Sequence, residues 1–252
     1  RPVQFADLTT PPTTDVIDPN LTDAKGLNAD LGYRGTIKNF LKFDVSGFYL
    51  DYSNRVGTIR QQNTDGSFYN FRTNVGSSRS RGLELLAEYN LFKSLAINSR
   101  FGEVELFASY GYNDARYNNF KVVAVVNNAL QETNYKDKKV EYAPEQIFRT
   151  GVTYSWKTVS ASVQQSYTAK VFTDANNTET PTANGQNGLI PSYIIYDITL
   201  AYQGKTGLSI KSGINNLSNS NYFTRRAGGY PGPGVLPGDG RTYFVTLGYI
   251  LK

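Results

Sequence analysis

The stretch GDGRTYFVTLGYILK, residues 238–252, separates into two faces when read alternately. Tyr243, Val245, Leu247, Tyr249 and Leu251 make one face, wholly apolar with a tyrosine near each end. Phe244, Thr246, Gly248, Ile250 and Lys252 make the other, which is mixed. Period-2 alternation of this kind marks a β-strand with one face in an apolar medium. The medium is the question, and the rest of the chain bears on it.

The chain has 252 residues, with 19 Tyr and 14 Phe but one Trp, and no Cys, His or Met. Without histidine the usual general base, the Ser-His-Asp triad and most zinc sites are removed, so no enzyme activity and no catalytic residues are expected. Without cysteine there is no disulfide framework and no thiolate metal site. The formal charge of +5 is modest and no basic run occurs, which leaves no nucleic-acid partner. No window approaches the run of about 20 apolar residues needed by a membrane helix. The opening RPVQFADLTTPP has no apolar core of a signal peptide.

Alternation recurs along the whole length and predicts nine strands, at about 25–34, 39–59, 69–90, 103–117, 141–155, 158–171, 192–203, 207–217 and 241–251. Their connections alternate in length. Short ones are GTIKN (35–39), SWKT (155–158) and QGKT (203–206), with LFKSLAINSR (91–100) somewhat longer. Long ones are 59–67, 118–140, 173–192 and 218–240. Antiparallel neighbours with all elaboration at one end are the pattern of a membrane barrel with short periplasmic turns and longer extracellular loops.

The faces point the same way. On the strands predicted to descend toward the short turns, the apolar faces are Leu27-Ala29-Leu31-Tyr33, Leu83-Leu85-Ala87-Tyr89, Phe148-Thr150-Val152-Tyr154, Tyr196-Ile198-Leu200-Tyr202 and Tyr243-Val245-Leu247-Tyr249. Each finishes in tyrosine beside a short turn. A soluble core also alternates, but it does not place an aromatic at one level on every strand; an interfacial girdle does. The expected fold is therefore all-β, with an apolar face toward lipid and a polar face toward a lumen. Nine strands with two free edges cannot stand alone in hydrocarbon, where each unpaired backbone group costs several kcal/mol. The chain is thus expected to be part of a larger barrel.

The stretch INNLSNSNYFTRRAGGYPGPGVLPGDGRTYFVTLGYILK (214–252) resembles the C-terminal end of TonB-dependent outer-membrane receptors, and YFTRRAGGYPGPGVLPGDGRTYF (222–244) resembles their ferric-citrate branch. RPVQFADL (1–8), NADLGYRG (28–35), FDVSGFYLDYSNRVG (43–57) and NVGSSRSRGLELLAEYNL (74–91) fit the same family. The resemblance implies a 22-stranded transmembrane β-barrel of a Gram-negative outer membrane, with an N-terminal plug in its lumen. It places residues 1–24 in an extracellular loop and 25–251 in nine antiparallel strands, about strands 14–22, with the plug and earlier strands outside this chain. It implies TonB-driven uptake of a ferric chelate, ferric citrate or a carboxylate siderophore. Its partners would be the rest of the barrel with its plug, the TonB complex and outer-membrane lipid and lipopolysaccharide. Another siderophore, haem or an oligosaccharide as substrate, or a scaffold role in a larger complex, are the alternatives. The family usually ends in an aromatic residue, so a further residue after Lys252 is expected.

Candidate substrate contacts follow from charge. Arg225 and Arg226 lie beside GGYPGPGVLPG, which contains Tyr230 and is stiffened by proline and glycine. Guanidinium groups bind carboxylate oxygens in pairs, which suits an anionic iron–citrate complex. Pairing with loop carboxylates such as Asp239, or with lipopolysaccharide phosphates, is the competing reading. Parity places Arg72 on the lumen face with Asn74 and Glu84, as a ligand contact or an ordinary ion pair. It puts Arg79 and Arg81 outward with Leu83, toward anionic headgroups, and makes Arg149 a lumen-wall partner for plug carboxylates. Tyr117 and Phe120 would face a ligand from the rim or simply pack. TDGS, TDAN and GDG are turns without the ligand spacing of a calcium loop, and no metal or cofactor is expected.

Overall fold

The computed structural model describes residues 15–227 and 233–250. Nine strands form one antiparallel meander: β2 (Lys25–Ile37), β3 (Leu41–Gln62), β4 (Phe68–Asn90), β5 (Glu103–Val126), β7 (Gln146–Trp156), β8 (Val159–Thr168), β9 (Tyr193–Gln203), β10 (Leu208–Asn215) and β13 (Thr242–Tyr249). Each pairs with the next in the order β13-β10-β9-β8-β7-β5-β4-β3-β2. The nine predicted strands are thus present, in the predicted neighbour relation. Four short strands lie outside this path. β1 (Asp15–Ile17) runs parallel to β4, β6 (Ala129–Asn134) pairs with β5, and β11 (Phe223–Ala227) and β12 (Gly234–Pro237) form their own hairpin.

The register settles the faces. Paired residues share a side of the sheet, so one line across it reads Leu31, Gly47, Leu83, Tyr112, and another Leu106, Val152, Val163, Ile198, Ile214, Tyr243. This side is apolar from β2 to β13 and open: Leu31 is 84 % exposed and Leu247 72 %. The opposite side carries Asp30, Asp44, Glu84, Ser109, Arg149, Gln164, Asp197 and Lys211. The only buried hydrophobic side chains among the described residues are Ala24, Val75, Ala115, Tyr117 and Ile190, and all five sit at the long-loop end. A single sheet with its apolar side uncovered and its packing confined to one rim is not built around an internal core.

Aromatic residues bound the apolar side at both ends. Tyr33, Tyr89, Tyr154, Tyr202 and Tyr249 mark the short-turn level, and Tyr49, Tyr112, Tyr167 and Tyr243 the other. Two lower tyrosines also fasten the β4–β5 connection: the Tyr89 hydroxyl donates to Ser94 Oγ at 2.6 Å and the Tyr154 hydroxyl to the Phe101 carbonyl at 2.9 Å. On the polar side, rings lie over glycines of the neighbouring strand. A Cβ at Gly151 would stand 2.4 Å from the Phe107 ring, and one at Gly213 2.6 Å from Phe244. These aromatic–glycine pairs fill the space a missing side chain leaves and help fix the register.

Several boundaries need correction. The expected loop 59–67 begins as strand through Gln62, with 63–67 as the turn. The expected loop 118–140 begins as strand: KVVAVV continues β5 and folds back on β6 through Asn127 and Asn128, both with positive φ (50° and 59°). Asparagine tolerates that conformation, and two such residues make the turn that suits a twisted hairpin. β7 starts at Gln146, not at 141. At about 3.3 Å per residue, the 22–24 residues of β3, β4 and β5 far exceed the 9–11 a tilted membrane strand requires. Alternation continues past the membrane because these strands keep pairing above it. Residues 1–14 and the chain end at 251–252 lie outside the described residues, as do the expectations placed there.

Candidate functional site

The long-loop end is a fastened rim. Arg226 is its main clamp. Its guanidinium donates from Nε to the Gly188 carbonyl at 3.1 Å, from Nη1 to Gly185 at 3.0 Å and from Nη2 to Leu189 at 3.1 Å, while the Phe223 ring lies 5.1 Å away. The arginine is buried, and each of its three guanidinium nitrogens is engaged by a backbone carbonyl. Arg226 as a substrate contact is therefore corrected: it organises the 169–192 loop. The adjacent Arg225 is exposed and, among the described residues, has neither an ion pair nor a side-chain hydrogen bond. Neighbouring residues of a strand point oppositely, so β11 sends one guanidinium into the rim and one into solvent. Asp239 pairs with neither arginine among the described residues. Tyr230 lies outside them.

Two further fastenings join the loops. Asn177 Oδ1 accepts from the Lys139 amide at 2.7 Å, and its Nδ2 donates to the Lys139 carbonyl at 2.8 Å, so one side chain splices loop 173–192 to the segment before β7. The Tyr142 hydroxyl donates to the Arg226 carbonyl at 3.2 Å, and the Tyr142 amide to the Phe172 carbonyl at 2.9 Å. At the root of the last loop, the buried Asn216 donates from Nδ2 to the Ser220 and Asp239 carbonyls, accepts from the Ser220 amide, and sends its own amide to Asp197. Tyr193 and Tyr222 stack at 4.7 Å beside it.

A second cluster stands on the lumen side of the extended strands. Arg55 lies 5.2 Å from the Tyr117 ring and 5.7 Å from Phe120, and these rings stack at 4.5 Å. Tyr117 is fully buried and its hydroxyl donates to Glu141. Burial, then the hydrogen bond and charge of Glu141, push the phenol well above its ordinary value, against an opposing pull from Arg55. Tyr117 thus packs within the rim, the second of the two roles its sequence allowed. Arg72 is corrected too. The β3–β4 register jumps from Arg55↔Gly76 to Val56↔Asn74, so Val75 is a bulge and the parity linking Arg72 to Glu84 breaks there. Arg72 lies instead where β4 pairs with β1.

On the outward side just above the upper tyrosines, Arg79 and Arg81 take the predicted orientation. Asp114 is buried there between Arg116 (2.7 Å), Arg81 (3.3 Å) and Lys139 (3.6 Å). Burial raises its carboxyl, but the Arg116 bond and the surrounding cations outweigh that and hold it below the usual carboxylate range. Below, in the lumen, Asp30, Arg34, Asp44, Glu84 and Arg149 line a polar concavity of about 690 Å³, where the only ion pair among the described residues is Arg34–Asp44 at 3.8 Å. No group of His, Cys, Asp or Glu among the described residues forms a metal site.

Sequence reasoning missed Asn177, Asn216, Tyr142 and Arg55. The first two had a weak signal, asparagine in turn-rich NNT and INNL; both take positive φ. Arg55 was hidden by the Ser53–Asn54 irregularity, whose mark is Asn54 at φ 55°.

An antiparallel sheet with an apolar outer side, two aromatic belts, a polar inner side and a rim of tied loops is a section of a transmembrane β-barrel wall. The family model described as TonB dependent receptor-like, beta-barrel matches residues 1–217, and the chain belongs to that family. Its members are outer-membrane receptors and transporters of Gram-negative bacteria, not enzymes. A probable TonB-dependent siderophore receptor, PiuA of Acinetobacter baumannii, is 25 % identical over 192 residues, 73 % of this chain and 23 % of that protein. The ferric citrate transporter FecA, in the unliganded form, superposes with a TM-score of 0.69 at 21 % identity, covering 89 % of this chain and 31 % of that one. The copper transporter OprC gives 0.63 at 16 %, covering 92 % and 33 %. The chain therefore spans about a quarter to a third of the relatives it matches.

Proposed function

We propose that this chain is the C-terminal part of an outer-membrane transporter that takes up a ferric chelate, ferric citrate or a carboxylate siderophore, by TonB-driven transport. The observation that carries the reading is the division of labour at Arg225 and Arg226. Three loops are fastened through Arg226, Asn177 and Tyr142, and the fastened rim holds an unengaged guanidinium at Arg225. A preorganised cation facing water suits a ligand whose exterior is carboxylate. The likeness to the ferric citrate transporter is compatible with that ligand. β2 and β13 each have one unpaired edge among the described residues, which hydrocarbon does not tolerate. On this reading strands from the rest of a 22-stranded barrel close both edges, these being about strands 14–22, and a plug meets Asp30, Glu84 and Arg149 in the lumen.

The test is uptake of radiolabelled ferric citrate by cells making the full-length receptor, with and without an active TonB complex. Energy-dependent uptake that falls about tenfold in Arg225→Ala supports the proposal, the size expected for losing a charge-assisted contact. Uptake of haem, a hydroxamate chelate or a copper chelate instead, with ferric citrate excluded, would overturn the substrate class.

A further inference from the structure

The outward side holds a depression where a lipid side chain row should be. Gly47 on β3 has no side chain, between Leu31 and Leu83 across the register, and Ala29, which pairs with Tyr49, has a small one. A shallow, open depression of about 680 Å³ lies over Gly47 and Ala29, lined by Leu31, Leu83, Tyr49 and Tyr112 with Arg81 at its upper end. All seven residues face outward by register. A Cβ at Gly47 would meet only the Gly82 carbonyl oxygen, at 3.8 Å, so backbone crowding does not demand the glycine.

Arg81 is the most open of the cations around Asp114, with its side chain 60 % exposed against 34 % for Arg116 and 21 % for Lys139. Asp114 is held closer by Arg116, at 2.7 Å against 3.3 Å, so Arg81 keeps N–H donors directed away from its one carboxylate. Arg79 stands beside it, 4.0 Å from Asp137, and Lys139 also meets Glu145 at 2.9 Å. Asp51 is on the same side and accepts from Asn118. The carboxylates thus have partners of their own, while Arg81 faces the depression.

The geometry points to a binding site for a phosphate-bearing, acylated lipid of the outer leaflet: an acyl chain fills the depression over Gly47 and Ala29, and a phosphate sits on Arg81. The level is right for this. Tyr49 and Tyr112 belong to the upper aromatic belt, where headgroups lie, and a guanidinium binds phosphate oxygens in pairs. The inference rests on the membrane-barrel reading but not on the transported substrate.

The experiment is native mass spectrometry of the full-length receptor purified from outer membranes, then stripped of lipid and offered diphosphoryl lipid A, its dephosphorylated form, or inorganic phosphate. The intact receptor should retain one diphosphoryl lipid. Arg81→Gln, which removes the phosphate contact, and Gly47→Leu, which fills the depression and leaves the Asp114 ion cluster alone, should each weaken retention about tenfold. The lumen-side Glu84→Gln should not. Wild-type retention in both variants would overturn the site, and so would equal binding of the dephosphorylated lipid or displacement by equimolar inorganic phosphate. Resistance of the unheated barrel to SDS checks folding in every sample. A folded barrel that keeps its lipid in both variants refutes the site alone, whereas absence of such a barrel from the outer membrane refutes the membrane reading.

Discussion

Replacing Arg226 with alanine should open the 169–192 loop without unfolding the barrel. The guanidinium makes three hydrogen bonds to the Gly185, Gly188 and Leu189 carbonyls, and burial strengthens each. A hydrogen bond to a charged group contributes about 1.5–3 kcal/mol, but three on one side chain are not additive and water reaches the freed carbonyls once the loop lifts. A net loss of about 3 kcal/mol is a fair expectation, a rise of roughly a hundredfold in the open population. Amide exchange reads this directly. Protection at Gly188, whose N–H donates to Thr173 Oγ1 at 3.1 Å, and at Ile190, whose N–H donates to the Val171 carbonyl at 2.9 Å, should fall by that factor. Protection within β8 and β9 should not change. Arg226→Lys should recover a fraction, since one ammonium cannot span three carbonyls in a plane. Unchanged exchange at Gly188 and Ile190 in Arg226→Ala would refute the clamp. The same measurement on Arg225→Ala should show no change, which separates the two neighbours.

Gly151→Ala should lower barrel stability by about 1–3 kcal/mol, because the new methyl overlaps the Phe107 ring and sits 3.0 Å from the Val163 carbonyl; urea titration with and without Phe107→Leu checks that relief comes from the ring. Tyr117→Phe should leave Glu141 without its donor and loosen the segment before β7 by about 1–3 kcal/mol, read as exchange at Val140. The phenol is raised in the folded state, so its contribution is present below the ordinary tyrosine value near 10 and fades as pH climbs beyond it; the variant should lose that alkaline slope. Asp114 is lowered in the folded state, so its contribution is present above the ordinary aspartate value near 3.9 and is lost as pH falls through and below it, a slope that Asp114→Asn should abolish.

The strands were legible because one face must be apolar at every second position for the whole depth of the membrane. Leu83-Leu85-Ala87-Tyr89 states its orientation without reference to any other strand. That logic also placed Arg79 and Arg81 correctly, since no irregularity intervenes between them and Leu83 in β4's pairing with β3. It failed at Arg72, only a few residues further on, because a single bulged residue inverts parity and Val75 looks like any other strand residue. Above the membrane neither face is obliged to be apolar, so 59–62 and 121–126 read as loop although they are strand. Tyr117 was left between two roles for a related reason. Its surroundings, Arg55 and Glu141, come from chain segments 62 residues before it and 24 after, and spacing carries no trace of them.

The rim shows why composition alone could not separate the two arginines. RR within YFTRRAGG offers identical chemistry at adjacent positions. Which one is consumed depends on which side of β11 meets the carbonyls at Gly185, Gly188 and Leu189, a backbone shape formed by a loop about forty residues earlier. On the proposed reading, a transporter that holds a small anion at its mouth and later releases it would gain from this pairing. A charge-assisted contact is strong only if the cation is already placed, since ordering a long side chain and its loop costs part of the interaction. On the proposed reading, Arg226 meets that ordering cost during folding, inside the protein, and Arg225 would bind from a surface whose backbone is already set. If the two were exchanged in role, with loop order arriving only on ligand contact, affinity would fall by the cost of tying three loops together. Comparing ligand affinity in Arg226→Ala and Arg225→Ala tests this. The first should weaken binding while raising loop exchange, and the second should weaken binding with exchange unchanged. Loss of affinity in Arg225→Ala alone would mean that the fastened rim holds shape for some purpose other than the ligand.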